Sequence, residues 1–95
     1  MFFNLFKNND ALIEEYAKNL TNGILQKSSA SMPSVFRNAK NFAKENEFSY
    51  KEENKGKNIV LNNLKTFISD SFELSYDDYA KFEYVFNNYQ CFKMR

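Results

Sequence analysis

Apolar positions recur at spacings of three and four along most of this chain, the signature of helices with one buried face. Between Ala11 and Lys27, residues Ile13, Tyr16, Ala17, Leu20 and Ile24 fall within one arc, while Glu14, Glu15, Lys18 and Asn22 fall on the other. Asn8, Asn9 and Asp10 precede this stretch as a cap cluster. Glu14 and Lys18 form a favourable i,i+4 pair. Gly23 beside the apolar arc weakens a helix by roughly 1 kcal/mol relative to Ala, so either a close backbone approach or an early end is expected there.

A polar linker, Ser28-Ser29-Ala30-Ser31, leads into a second expected helix from Pro33 to about Glu47. Proline suits its first turn, where the missing N–H is not needed. Val35, Phe36, Ala39, Phe42 and Ala43 face one way, and Arg37, Lys40 and Lys44 stack on the opposite side. A third helix is expected from a cap at Asn58 to about Ser71, with Val60, Leu61, Leu64, Phe67 and Ile68 as its buried stripe. The stretch between, FSYKEENKGK, starts with alternation and contains Gly56. It reads as a charged loop, because a lone hairpin there has no third strand to pair with.

The stretch from Phe72 to Phe92 carries eight of the chain's seventeen aromatic rings. Ser75 followed by Asp78 marks a helix start, since the Ser oxygen accepts a free N–H of the first turn. Tyr79, Phe82, Val85, Phe86 and Tyr89 then form the expected inner stripe of a fourth helix. Tyr84, about 160° from Phe82 by the helical step, is expected on the outer face among Asp77, Lys81 and Asn88. Phe2, Phe3 and Phe6 form a short apolar N-terminal segment expected to cover an open end of the core. The sum is one all-α domain over residues 1–95, a small four-helix bundle with antiparallel neighbours where loops are short.

Composition narrows this further. Two Gly and one Pro in 95 residues disfavour a sandwich or barrel, which needs many turns. Thirteen basic and twelve acidic residues give a net charge of +1, so no strong overall field points to nucleic acid or a membrane. No apolar run approaches the roughly 20 residues of a bilayer span, and the apolar start is too short for a signal peptide. A single cysteine, Cys91, fits a reducing compartment. These features point to a cytoplasmic protein. The wealth of Lys, Asn, Phe and Tyr matches AT-rich coding, as in a phage or other mobile element.

The inventory of reactive groups is thin. With no His and one Cys, neither a zinc nor an iron–sulfur site has a ligand set. Asp70, Glu73, Asp77 and Asp78 lack the pattern of a calcium loop and read as helix-capping charge. Cys91 has no histidine to deprotonate it, the carboxylate pairs do not converge, and two isolated glycines make no phosphate loop. The expectation is no enzyme, no cofactor and no metal.

What remains is binding. Tyr84 with Asp77, Lys81 and Asn88, and Tyr50 in the charged loop, resemble the Tyr-rich, mixed-charge surfaces of protein contacts. The first expectation is a non-enzymatic module that binds another protein, an inhibitor or immunity-type protein. A second is a nucleic-acid-binding helical domain using Arg37, Lys40 and Lys44. A third is a homo-oligomeric structural protein closed by the Phe2–Phe6 segment.

Overall fold

The computed structural model describes the backbone of residues 9–93 and the side chains of residues 9–88. The expectations for Phe2–Phe6, for the side chain of Tyr89 and for that of Cys91 lie outside the described residues. Four α-helices follow one another: α1 (Asp10–Gln26), α2 (Met32–Glu45), α3 (Tyr50–Asp70) and α4 (Tyr76–Lys93), with a short 3-10 turn at Ser29–Ser31 between the first two. Among the described residues there is no strand. The protein is an all-α bundle, as its periodicity predicts.

Three of the four described helix starts have an identifiable local cause; at α1 the expected cap is not made by Asn9, which forms no side-chain cap hydrogen bond and donates to Glu52 instead. Pro33 sits in the first turn of α2. Ser49 and Glu52 form a reciprocal capping box at the head of α3: the Glu52 N–H donates to Ser49 Oγ at 3.1 Å, and the Ser49 N–H donates to Glu52 Oε1 at 2.8 Å. Ser75 and Asp78 do the same for α4, at 3.0 and 3.1 Å. The end of α2 is a Schellman turn, with the Phe48 N–H on Ala43 O and the Glu47 N–H on Lys44 O. Glu47 takes the left-handed position, φ 56°, that glycine usually fills.

The expected loop over residues 48–57 is therefore a correction. Helix α3 starts eight residues before Asn58, at Tyr50, and Gly56 lies inside it. Gly56 is tolerated there because the ring of Tyr16 on α1 packs where its side chain would be. Gly23 plays the matching part on α1, against Val35 of α2, without ending the helix.

Pairings across the bundle fix its directions. Asn9 Nδ2 donates to Glu52 Oε2 at one end, and Asn63 Nδ2 donates to Thr21 Oγ1 further along, so α1 and α3 run parallel. Ser29 meets Asp77, and Phe36 meets Tyr84, so α2 and α4 run parallel too, opposite to the first pair. One end of the bundle thus gathers the starts of α1 and α3. The other gathers the end of α3, the 3-10 turn and the start of α4.

The core lies between these helices. Ile13, Tyr16, Ala17, Leu20 and Ile24 of α1 are all buried, with Met32 and Ala43 of α2, Val60, Leu61 and Leu64 of α3, and Phe82 and Val85 of α4. Val35, Phe36, Ala39 and Phe42 pack against it partly buried. A fully buried Leu or Ile contributes roughly 1.5–3 kcal/mol relative to exposure, so α1, with five buried apolar residues, is the helix that α2 and α3 pack against, while α4 meets the 3-10 turn, Phe36 and Phe67. Phe48, just past α2, closes one side by contacting Tyr16 and Phe42 at ring-centroid distances of 5.8 and 6.1 Å.

Candidate functional site

Helix α4 sits in a different rotation from the one its aromatic spacing predicts. Lys81 is only 4% exposed, as buried as Phe82, and Tyr79 is 59% exposed. The buried face is turned by roughly 50° toward Lys81, half of the 100° helical step. The cause is polar. Lys81 Nζ donates to the Leu25 carbonyl at 3.1 Å, one of the last-turn acceptors of α1 that lack a partner within their own helix, and lies 3.6 Å from Asp78. The aliphatic stem is buried while the charge is matched.

The outer patch expected around Tyr84 is accordingly dispersed. Tyr84 is partly buried, edge-on to Phe36 at 5.2 Å and 71°. Asp77 is exposed but accepts the Ser29 N–H at 3.1 and 3.2 Å, tying α4 to the α1–α2 turn. Hydrogen bonding from the Ser29 side chain, then from its backbone N–H, holds the Asp77 carboxyl below its ordinary range, with Lys81 adding to the effect against a small desolvation cost. Asn88 is exposed and donates to the Tyr84 carbonyl at 2.8 Å. Tyr50 is exposed at the head of α3, at the far end of the bundle from Asp77.

A different aromatic surface takes shape where α3 hands over to α4. Helix α3 stops at Asp70, and Ser71 Oγ closes its end on the Phe67 carbonyl at 2.7 Å. Leu74 turns inward onto the core, which leaves Phe72 outside and fully exposed. Tyr76 and Tyr79, three residues apart on α4, point the same way and are 94% and 59% exposed. Phe67, in the last turn of α3, is 37% exposed and touches Phe82, at 6.1 Å. Residues 66–80 contain Asp70, Glu73, Asp77 and Asp78 and no basic residue. The result is a corner of exposed rings set in negative charge. Ring exposure at this corner was not foreseen, because Phe67 and Tyr79 both fit apolar stripes.

The basic residues of α2 are where the sequence places them. Arg37, Lys40 and Lys44 are exposed, and none has an ion-pair partner among the described residues. Arg37 and Lys40 stand over a groove of about 360 Å³ between α2, α3 and α4. Pro33, Phe36 and Tyr16 line its apolar part, and Glu53 and Lys57 of α3, 3.9 Å apart, line its far side. Lys55, by contrast, is paired with Asp10 at 3.3 Å.

Among the described residues no three His, Cys, Asp or Glu side chains gather as a metal site, and no helix is long and apolar enough to cross a membrane. Asp77 and Asp78 of the acidic group are engaged in the turn and the cap described above. No protein-family model matches the chain, and comparison with curated proteins and with solved structures returns no match either.

Proposed function

We propose that this chain is a small non-enzymatic protein-binding module whose contact surface is the aromatic corner Phe72, Tyr76 and Tyr79. One observation carries the reading: Phe72 and Tyr76 are essentially fully solvent-exposed, the most exposed large apolar side chains among the described residues. Large rings left outside a finished core expose apolar area with no return in folding, and clustered exposed aromatics are what protein contacts use. A Tyr brings much contact area with few rotatable bonds to freeze, and a hydroxyl for the rim. Asp70 and Glu73 supply a polar rim of one sign. A cytoplasmic inhibitor or immunity-type protein of a phage or other mobile element is the role that suits such a module.

The test is affinity capture from native-host extract with the parent chain and with a Phe72→Ala/Tyr76→Ala variant, each with and without nuclease. The reading predicts a protein partner held by the parent, resistant to nuclease and lost from the variant. An equal set of partners on both chains contradicts it.

A second reading is favoured by Arg37, Lys40 and Lys44 on one exposed helix face, with no ion-pair partner among the described residues, which suits a phosphate backbone. It predicts binding to generic duplex DNA or RNA that weakens steeply with salt and is lost in Arg37→Glu.

A further inference from the structure

Among the described residues, the acidic corner and the cationic groove share no lining residue. The corner forms where α3 ends, whereas Glu53 and Lys57 line the groove one to two turns after α3 begins. From Lys57 to Phe67 is ten residues of one helix, about 15 Å, while Pro33 and Phe36, in the first turns of α2, form the groove's edge nearer the corner.

We propose that the corner of one copy docks in the groove of a second copy, so that the chain associates head to tail. This rests on the corner being a protein-contact surface, and names its occupant. Three observations favour a second copy. Charge is the first. Asp70 and Glu73 at the corner are exposed, and neither they nor Arg37 and Lys40 at the groove mouth have an ion-pair partner among the described residues. Among the described residues the groove holds one carboxylate, Glu53, which lies 3.9 Å from Lys57. Size is the second. About 360 Å³ is at the small end of the roughly 300–1,000 Å³ range of ligand pockets, room for a ring or two rather than an extended chain.

Chemistry is the third. The groove offers Pro33 and Phe36 as an apolar wall under two cations, and a Tyr ring seated there meets both apolar contact and cation–π attraction. Asp70 and Glu73 then face Arg37 and Lys40. Corner against corner brings acids together, and groove against groove brings cations together, so neither gives a favourable two-fold contact. Corner against groove joins unlike surfaces, and such a contact continues from copy to copy unless its rotation closes a ring.

The experiment is analytical sedimentation of the full chain from low micromolar to millimolar concentration. Reducing conditions keep Cys91 from cross-linking copies. The expected result is an average mass that rises with concentration and falls as salt screens the contact. Two variants separate the surfaces: Phe72→Ala/Tyr76→Ala on the corner, and Arg37→Glu/Lys40→Glu on the groove. All four residues are outside the buried core, and the thermal transition of each variant is compared with the parent. Either variant alone weakens association by about tenfold or more. An equal mixture of the two restores one corner-to-groove contact and stops at a dimer, because each partner then offers only a spent surface.

A monomer at every concentration overturns the proposal and leaves the corner to be judged by the capture experiment. Association that survives the groove variant, or that strengthens with salt, removes the groove as receptor while the corner reading stands. Association that survives the corner variant overturns the proposal and shows that self-contact does not use the corner.

Discussion

The ring of Tyr16 occupies the space that a side chain on Gly56 would need: a Cβ there would lie 2.6 Å from Cδ1 and 2.9 Å from Cε1. Tyr16 is itself buried and also packs on Phe48, so it has little freedom to yield. A helix interior normally gains roughly 1 kcal/mol from Gly→Ala. Here overpacking exceeds the gain, and Gly56→Ala should lose about 1–3 kcal/mol in chemical denaturation. A stabilised variant would mean that α1 and α3 are not held together at this point.

Lys81 is expected to behave as a core residue. Its removal strands the Leu25 carbonyl, which it holds at 3.1 Å. Lys81→Ala should cost about 1–3 kcal/mol. Lys65→Ala, an exposed lysine on α3, should change stability by less than about 0.5 kcal/mol. Equal, small effects at both positions would show that α4 is rotated as its aromatic spacing alone implies.

Asp77 gives the fold a defined acid sensitivity. Its carboxyl is held below the ordinary range by Ser29, first through the side chain and then through the backbone N–H. A folded-state pKa below the unfolded one stabilises at pH values above the unfolded pKa. That contribution is lost as pH falls through the folded value, beginning below about pH 4. Denaturation midpoints of the parent and of Asp77→Asn should differ near neutral pH and converge in acid. A constant difference down the whole pH range would contradict the Ser29 contact.

Glu47 occupies a backbone position that costs a side-chain-bearing residue about 1–2 kcal/mol. Glycine there removes the strain but adds freedom to the unfolded chain. Glu47→Gly should therefore stabilise the protein by a net of about 0.5 kcal/mol, read as a raised denaturation midpoint. A loss instead would mean that the turn between α2 and α3 is held by the Glu47 side chain.

The legible parts of the sequence were those governed by local rules. Helix α1 is flanked by polar residues and has a clean stripe, and all five of its predicted apolar positions are buried. The Ser75–Asp78 start of α4 was visible for the same reason: the donor and acceptor are three residues apart. The head of α3 carried an equally local signal, Ser49 followed by Glu52, but Gly56 and the dense charge around it argued for a loop. What makes Gly56 acceptable is Tyr16, forty residues earlier in the chain. The rotation of α4 was hidden for a similar reason. Apolar rings occur on nearly every side of that helix, so spacing alone does not choose a face, and the Leu25 carbonyl that draws Lys81 inward belongs to another helix. The exposure of Tyr79 follows from that rotation, which moves Tyr84 toward Phe36, whereas Phe72 stands outside because Leu74, ahead of the helix, turns inward.

The central claim is that Phe72 and Tyr76 serve contact and not folding. Its most direct test measures stability and partner retention on the same Phe72→Ala/Tyr76→Ala sample, with Phe82→Ala as the core reference. The account predicts a change in unfolding free energy below about 0.5 kcal/mol for the corner variant, against roughly 3–5 kcal/mol for Phe82→Ala, with the partner lost from the folded corner variant. A corner variant that unfolds as readily as Phe82→Ala, or one that keeps its stability and its partners alike, would contradict it.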